Sequence, residues 1–192
     1  MSATSTMLAL GTEAPDFSLT DVLSGDVVRR DDFANHTALL VMFLCNHCPY
    51  VKHVERGLAT FARDYADRDL AIVAIASNDV ASYPEDAPKA LAGRARSLGF
   101  EFPYLFDETQ EVAAAFTAMC TPDFFLFGPE RTLVYRGRFD ESRPNSGRPV
   151  TGKDLREAVD AVLAGEAVTD DQWPSMGCSI KWKPGHTPAY AS

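Results

Sequence analysis

Two uninterrupted apolar runs, residues 38–44 (ALLVMFL) and Leu70–Ala76 (LAIVAIA), bracket a stretch in which apolar residues return every three or four positions: Val51, Val54, Leu58, Phe61 and Tyr65. Runs this short and continuous predict strands covered on both faces, whereas the wider spacing predicts an amphipathic helix. Strand, helix and strand in that order make a βαβ unit with parallel strands and a right-handed crossover. Before it, residues 16–20 and 27–30 flank a polar turn containing Ser24-Gly25, the pattern of an N-terminal β-hairpin. After it, a polar, proline-bearing loop at 78–88 and a helix at 89–98 stopped by Gly99 read together as an insertion. A short strand follows at 102–106. Asp107 and Gln110 have capping-box spacing ahead of a helix that runs to Phe116. Residues 123–127 and 132–139 flank the turn Gly128-Pro129-Glu130-Arg131 as a second hairpin, and Thr151 with Asp154 caps a last helix at 155–163.

Residues 165–192 lack periodicity and carry both tryptophans, Trp173 and Trp182. Rings of that size are unfavourable in water, so they are expected to anchor an extended tail on the domain surface.

With 192 residues, 46% hydrophobic and 23% charged, the chain can bury a sizeable core. One domain is expected over 1–164, with the tail 165–192 packed on it. The 27 Asp and Glu against 18 Lys and Arg leave a formal charge of -9, a field that repels nucleic acid and anionic lipid, and neither is expected as a partner. Residues 1–10 hold no basic segment, and no apolar run reaches the roughly 18 residues of a membrane span, which points to a reducing cytoplasm. In that compartment a lasting structural disulfide is rare. The four cysteines therefore read as chemistry or as small buried hydrophobes.

Position decides between these. Cys45-Asn46-His47-Cys48-Pro49 falls where the first buried strand ends and the amphipathic helix begins. A thiol in the first turn of a helix meets unpaired N–H groups and the positive end of the helix dipole, and both favour thiolate. The spacing lets the two sulfurs bond, and His47 between them would stabilise a thiolate at Cys45 further. Pro49 is tolerated, because donors in the first turn lack intrahelical partners. His36, His53 and His186 read as structural or solvated, and residues 140–150, with Arg138, Arg143 and Arg148, as a solvated loop or a small basic patch.

A strand ending in CxxC at a helix start, a βαβ unit, a ββα ending and Thr121-Pro122 just ahead of a strand together resemble the thioredoxin fold, in its larger redoxin (AhpC/TSA and TlpA-like) branch. Gly11-Thr12-Glu13-Ala14-Pro15-Asp16-Phe17-Ser18-Leu19 is similar to the opening of that branch. The segments Cys45-Asn46-His47-Cys48-Pro49-Tyr50-Val51 and Gly177-Cys178-Ser179-Ile180-Lys181-Trp182-Lys183 resemble a bacterial subfamily of it. The resemblance spans about 11–186 and implies an α/β fold: a thioredoxin-like three-layer α/β/α sandwich with an N-terminal β-hairpin, a central insertion and an extended C-terminal tail.

Carried over position by position, it makes Cys45 the more exposed nucleophile and Cys48 the resolving thiol. Pro122 becomes a cis-proline facing the pair, and Thr121 offers backbone hydrogen bonds to an extended substrate. The disulfide is expected to be more oxidising than the roughly -270 mV of thioredoxin. Two positions depart from the family. The buried acid six residues before the first cysteine is here Leu39, and the alternative three after the second is Val51, so the base for Cys48 is left to His47, His53 or water. The peroxiredoxin pattern PxxxTxxC would need Pro at Val41 and Thr at Cys45. Cys120, beside Thr121-Pro122, and Cys178, brought over by the tail, are accessory thiols that could pair with each other.

The activity this implies is thiol-disulfide exchange with protein or low-molecular-weight disulfides, without cofactor or metal, reduced by a dithiol protein or glutathione. Two other readings stay open. One is an antioxidant thiol peroxidase in which Cys45 passes through sulfenic acid and Cys48 resolves it. The other is a metal-binding or redox-sensing module with Cys45, Cys48 and His47 as ligands.

Overall fold

The computed structural model describes residues 2–191, so Met1 and Ser192, the outer limits of the domain and tail expected from the sequence, lie outside the described residues. In chain order the elements are β1 (Ser2–Thr4), β2 (Ser18–Asp21), β3 (Val27–Arg29), β4 (Ala38–Phe43), α1 (Pro49–Asp64), β5 (Leu70–Ala76), α2 (Pro88–Leu98) and β6 (Tyr104–Phe106). They continue with α3 (Glu111–Ala115), β7 (Cys120–Thr121), β8 (Asp123–Phe127), β9 (Leu133–Gly137), α4 (Lys153–Leu163) and β10 (Met176–Ser179).

A seven-stranded sheet has the order β3-β2-β6-β5-β4-β8-β9. Strands β4, β5 and β6 run parallel, while β8, β9 and the β2–β3 hairpin are antiparallel additions. Alternation along β4 explains its unbroken apolar run. Leu40 and Met42 pack with Val51 and Leu58 of α1, Leu91 of α2 and Leu155 of α4. Leu39, Val41 and Phe43 point the other way, to Phe17, to Ala113 of α3 and to Phe116 just beyond it. With helices on both sides, the fold is the three-layer thioredoxin-like sandwich expected. Among the described residues no helix is long and apolar enough to cross a membrane.

A second, three-stranded sheet, β1-β10-β7, was not foreseen. It joins both ends of the chain to the segment before Pro122, since Ser2 pairs with Cys178 and Cys178 with Thr121. Of the two tryptophans, Trp182 packs against the core on the α3 side, but Trp173 is 58% exposed, its ring lying under the Arg138 guanidinium. The tail is therefore held by strand pairing more than by its tryptophans.

Two expected caps take another form, with Asp107 accepting the Ala113 N–H at 2.9 Å and Thr151 the Lys153 N–H at 3.2 Å. Gln110 has a left-handed φ of 67° and makes no capping bond. Its side chain instead donates to the Ser77 and Lys181 carbonyls and accepts the Lys183 N–H, which ties the tail to the domain. At α4 the N-cap is Gly152, and the buried carboxylate of Asp140 takes the N–H groups of Thr151 and Gly152 at 2.7 and 2.6 Å. Burial opposes ionisation of Asp140, but these bonds and those from Ser142 outweigh it and hold its carboxyl below the ordinary value of 3.8. A depressed carboxyl contributes stability above its unfolded pKa and loses it as pH falls through the folded one. Asp140→Asn should therefore flatten the decline of stability below 3.8 in an acid titration followed by circular dichroism; an unchanged acid limb would show that Asp140 carries none of it.

Candidate active site

The backbone of β4 extends one step beyond the strand, Leu44 N–H bonding the Ile75 carbonyl, and then turns. Cys48 is the N-cap of α1, with extended dihedrals (φ -70°, ψ 124°), and Pro49 is its first helical residue. A residue before proline is kept out of the helical region, so the helix can start only after Cys48. It is thus Cys48, rather than Cys45, that sits at the positive end of the helix dipole. Neither sulfur is open to solvent: Cys45 is 1% exposed and Cys48 0%, so the expectation that Cys45 is the more exposed thiol is not met.

Both thiols face Thr121, whose peptide bond to Pro122 is cis, as expected. The Cys45 sulfur lies 3.1 Å from the Thr121 hydroxyl, and the Cys48 thiol donates to the Thr121 carbonyl at 3.1 Å. The chain on either side of Thr121 is held by a buried framework, in which Asp123 also accepts the Met119 N–H. Arg136, fully buried, donates to the Thr117 carbonyl and the Thr6 hydroxyl and pairs with Asp123 at 3.5 Å. The edge of β7 expected for an extended substrate is occupied by β10, with Cys178 opposite Thr121 and Ser179 opposite Cys120.

All four cysteines are free thiols. Cys178 hydrogen-bonds Cys48, and Cys120, one register position away, is buried, its thiol pushed up first by that burial. Neighbouring positions of a strand face opposite sides, so this geometry turns Cys120 and Cys178 apart instead of pairing them.

Cys45 and Cys48 also hydrogen-bond each other and share their protons. Cys45 is pushed above the usual thiol range, first because it donates to Cys48, then by burial and by the Asp86 carboxylate. Cys48 is lowered, first by the Cys45 S–H and, against burial, by the Cys178 side chain and the N–H groups of Val51 and Cys178. Charge-assisted bonds are about twice as strong as neutral ones, so this donor set outweighs the single bond to Thr121 that the neutral thiol makes.

Asp86 is the residue that sequence reasoning missed. It comes from the insertion and is fully buried. One oxygen accepts the N–H groups of Asn46 and His47 at 2.7 and 3.2 Å; the other takes His47 Nδ1 at 2.6 Å and Asn78 Nδ2 at 2.8 Å. The His47 ring stacks on Tyr83 with centroids 4.7 Å apart, and its Nε2 is buried without a partner. The groups that converge within 4.8 Å are thus Cys45, His47 and Asp86, not the cysteine pair with His47. Each could ligate a cation, yet each already has a partner here: Cys45 has Thr121, and Asp86 is saturated by four N–H groups. His53 is turned away, onto Ser142 at 3.0 Å. Arg138 and Arg148 are paired with Asp154 and Glu141, so the loop at 140–150 presents little free positive charge.

A family model described as the AhpC/TSA family matches residues 10–136. The chain is 52% identical to a conserved protein from Geobacillus kaustophilus, with a TM-score of 0.94 over 96% of this chain and 98% of that one. It is 49% identical to a hypothetical protein from Sinorhizobium meliloti 1021, with a TM-score of 0.93 over 95% and 99%. A thiol:disulfide interchange protein from Chlorobium tepidum TLS superposes with a TM-score of 0.62 over 81% of this chain and 99% of that one; at 18% identity this is a likeness of fold. No curated protein matches the chain.

Proposed function

The chain belongs to the AhpC/TSA family, and from that premise we propose that it is a cytoplasmic thiol-disulfide oxidoreductase whose two-electron couple is the Cys45/Cys48 dithiol and disulfide. The observation that carries this reading is the pair of sulfurs at the start of α1 that both converge on Thr121, each at 3.1 Å.

On this reading the two thiols divide the labour. Cys45 is the attacking sulfur. It is protonated at rest, and we assign its base to His47: Nδ1 meets the Asp86 carboxylate, the three groups converge within 4.8 Å, and Nε2, which has no partner in the resting geometry, must close on the Cys45 sulfur to take its proton. The Cys45 thiolate attacks a substrate disulfide R–S–S–R′, forming Cys45–S–S–R and releasing R′–S⁻. At this stage the Cys45 S–H is gone, and the helix start, the Cys178 side chain and the N–H groups of Val51 and Cys178 remain to favour the Cys48 thiolate. It attacks the Cys45 sulfur, closes the Cys45–Cys48 bond and releases R–S⁻. The substrate gains two electrons and the pair loses two; a dithiol protein or glutathione returns them. A lowered Cys48 pKa stabilises the reduced pair, which favours a potential above that of thioredoxin.

The test is trapping. Cys48→Ser should leave Cys45 joined to its partner as a mixed disulfide that a reductant releases, while the unsubstituted protein should catalyse reduction of insulin disulfides by a dithiol. Absence of both the trapped adduct and the catalysis would sink the proposal. Peroxide-dependent oxidation of the dithiol reductant in their place would assign the site to the peroxidase reading.

A further inference from the structure

Cys178 is the only cysteine of the four that is not buried; it stands opposite Thr121, whose carbonyl the Cys48 thiol meets at 3.1 Å, and packs against the core cluster that contains Cys48. Its position is built, not incidental. Gly177 lets β10 lie so close to β7 that an added Cβ would stand 1.9 Å from the Thr121 carbonyl oxygen. Beyond β10, Asn78 accepts the Lys181 N–H at 2.8 Å through its side-chain oxygen and donates to Asp86 through its nitrogen, so one side chain locks the tail to the carboxylate that positions His47.

Resting on the exchange chemistry proposed above, we propose that Cys178 is a third redox thiol, which takes the disulfide from the buried Cys45–Cys48 pair and presents it near the surface as a Cys48–Cys178 bond. The Cys178 thiolate attacks the Cys48 sulfur of the oxidised pair; the Cys48–Cys178 bond forms, the Cys45–Cys48 bond breaks, and Cys45 leaves as a thiolate that recovers a proton. The chain as a whole is neither oxidised nor reduced by this step. An external thiol then attacks Cys178, which is partly exposed, and the mixed disulfide resolves with a second thiol, returning two electrons without opening the core.

The environment gates the step. With the pair reduced, burial and then the hydrogen bond and charge of Cys48 push the Cys178 thiol up to about 11. When Cys48 is in a disulfide its charge is gone, and Lys181, which favours the Cys178 thiolate, is no longer opposed by it. The tail thiol is therefore activated when there is a disulfide to receive.

The experiment uses the full chain oxidised with glutathione disulfide, then peptide mapping. Cys45→Ser should form an intramolecular Cys48–Cys178 disulfide, with Cys45→Ala as a second variant if the serine protein does not fold. Independently, Cys178→Ser should slow the reduction of the oxidised pair by glutathione about 10- to 100-fold, because the core must then open locally. Cys48 left free or carrying only glutathione in the Cys45 variants, or a wild-type reduction rate in Cys178→Ser, overturns the proposal. Failure of the underlying reading looks different: Cys178→Ser, in which the disulfide cannot move on, would then form no Cys45–Cys48 bond under the same oxidation.

Discussion

Asp86→Asn is expected to slow thiol-disulfide exchange roughly 10²- to 10³-fold, the range lost when a positioned base is disabled, and to lower stability by about 2–4 kcal/mol. An ionised carboxylate has lone-pair positions for all four N–H groups that Asp86 receives. An asparagine of the same shape has one acceptor oxygen, and its NH₂ group would be forced against His47 Nδ1 and the Asn78 NH₂. His47 can adapt by moving its proton to Nε2, which makes Nε2 a donor and ends its use as a base toward Cys45. Asn78 can adapt by flipping, but its oxygen already holds the Lys181 N–H, so the flip releases the tail. The readout that separates catalysis from stability is the pH profile of exchange, measured well below the unfolding temperature. A positioning role predicts a changed pH profile of exchange, whereas a purely structural Asp86 would lower the unfolding temperature and leave the profile unchanged. Exchange within about threefold of the unsubstituted protein would remove the imidazole from the mechanism.

The parts of this site that were legible in the sequence are those carried by local patterns. The run at Leu70–Ala76 and the stripe from Val51 to Tyr65 mark the βαβ unit, because each periodicity follows from which faces are covered. Cys45 and Cys48 could be placed at its loop, and Thr121 and Pro122 against them by resemblance. Cys48-Pro49 also held a signal that went unused: a residue before proline cannot be helical, which assigns the helix dipole to Cys48. What the sequence hid depends on distant chain segments. Neither Leu39 nor Val51 supplies an acid, and nothing in the spacing of the insertion marks Asp86 as the carboxylate that meets His47; only the fold of the Pro84–Asp86 turn brings it there. Strands β7 and β10 have two and four residues, too few for alternation to register, so the contact between Cys178 and Cys48 was equally invisible.

Gly177→Ala should detach the tail. The new Cβ would meet the Thr121 carbonyl oxygen at 1.9 Å, the Thr121 carbonyl carbon at 2.5 Å and the Pro122 nitrogen at 3.1 Å, all backbone atoms that no rotamer change can move. The framework on either side of Thr121, with the fully buried Arg136–Asp123 pair, resists displacement, so it is β10 that must shift. Losing its pairing with β7 also undermines β1, whose only partner among the described strands is β10. A local destabilisation of about 2 kcal/mol shifts an opening equilibrium roughly 30-fold. Amide exchange across Met176–Ser179 and Ser2–Thr4 should quicken by about that factor, while the amides of β4 and β5 in the main sheet stay protected. Alkylation of Cys45 and Cys48 should quicken in parallel, since β10 covers the edge that faces them. The Cys48–Cys178 disulfide, by contrast, should form less readily in a Gly177→Ala, Cys45→Ser double variant, because its two sulfurs are no longer held together. If alkylation and tail exchange both keep their original rates, β10 is not the cover of this site, and access to Cys45 must come from another side of the molecule.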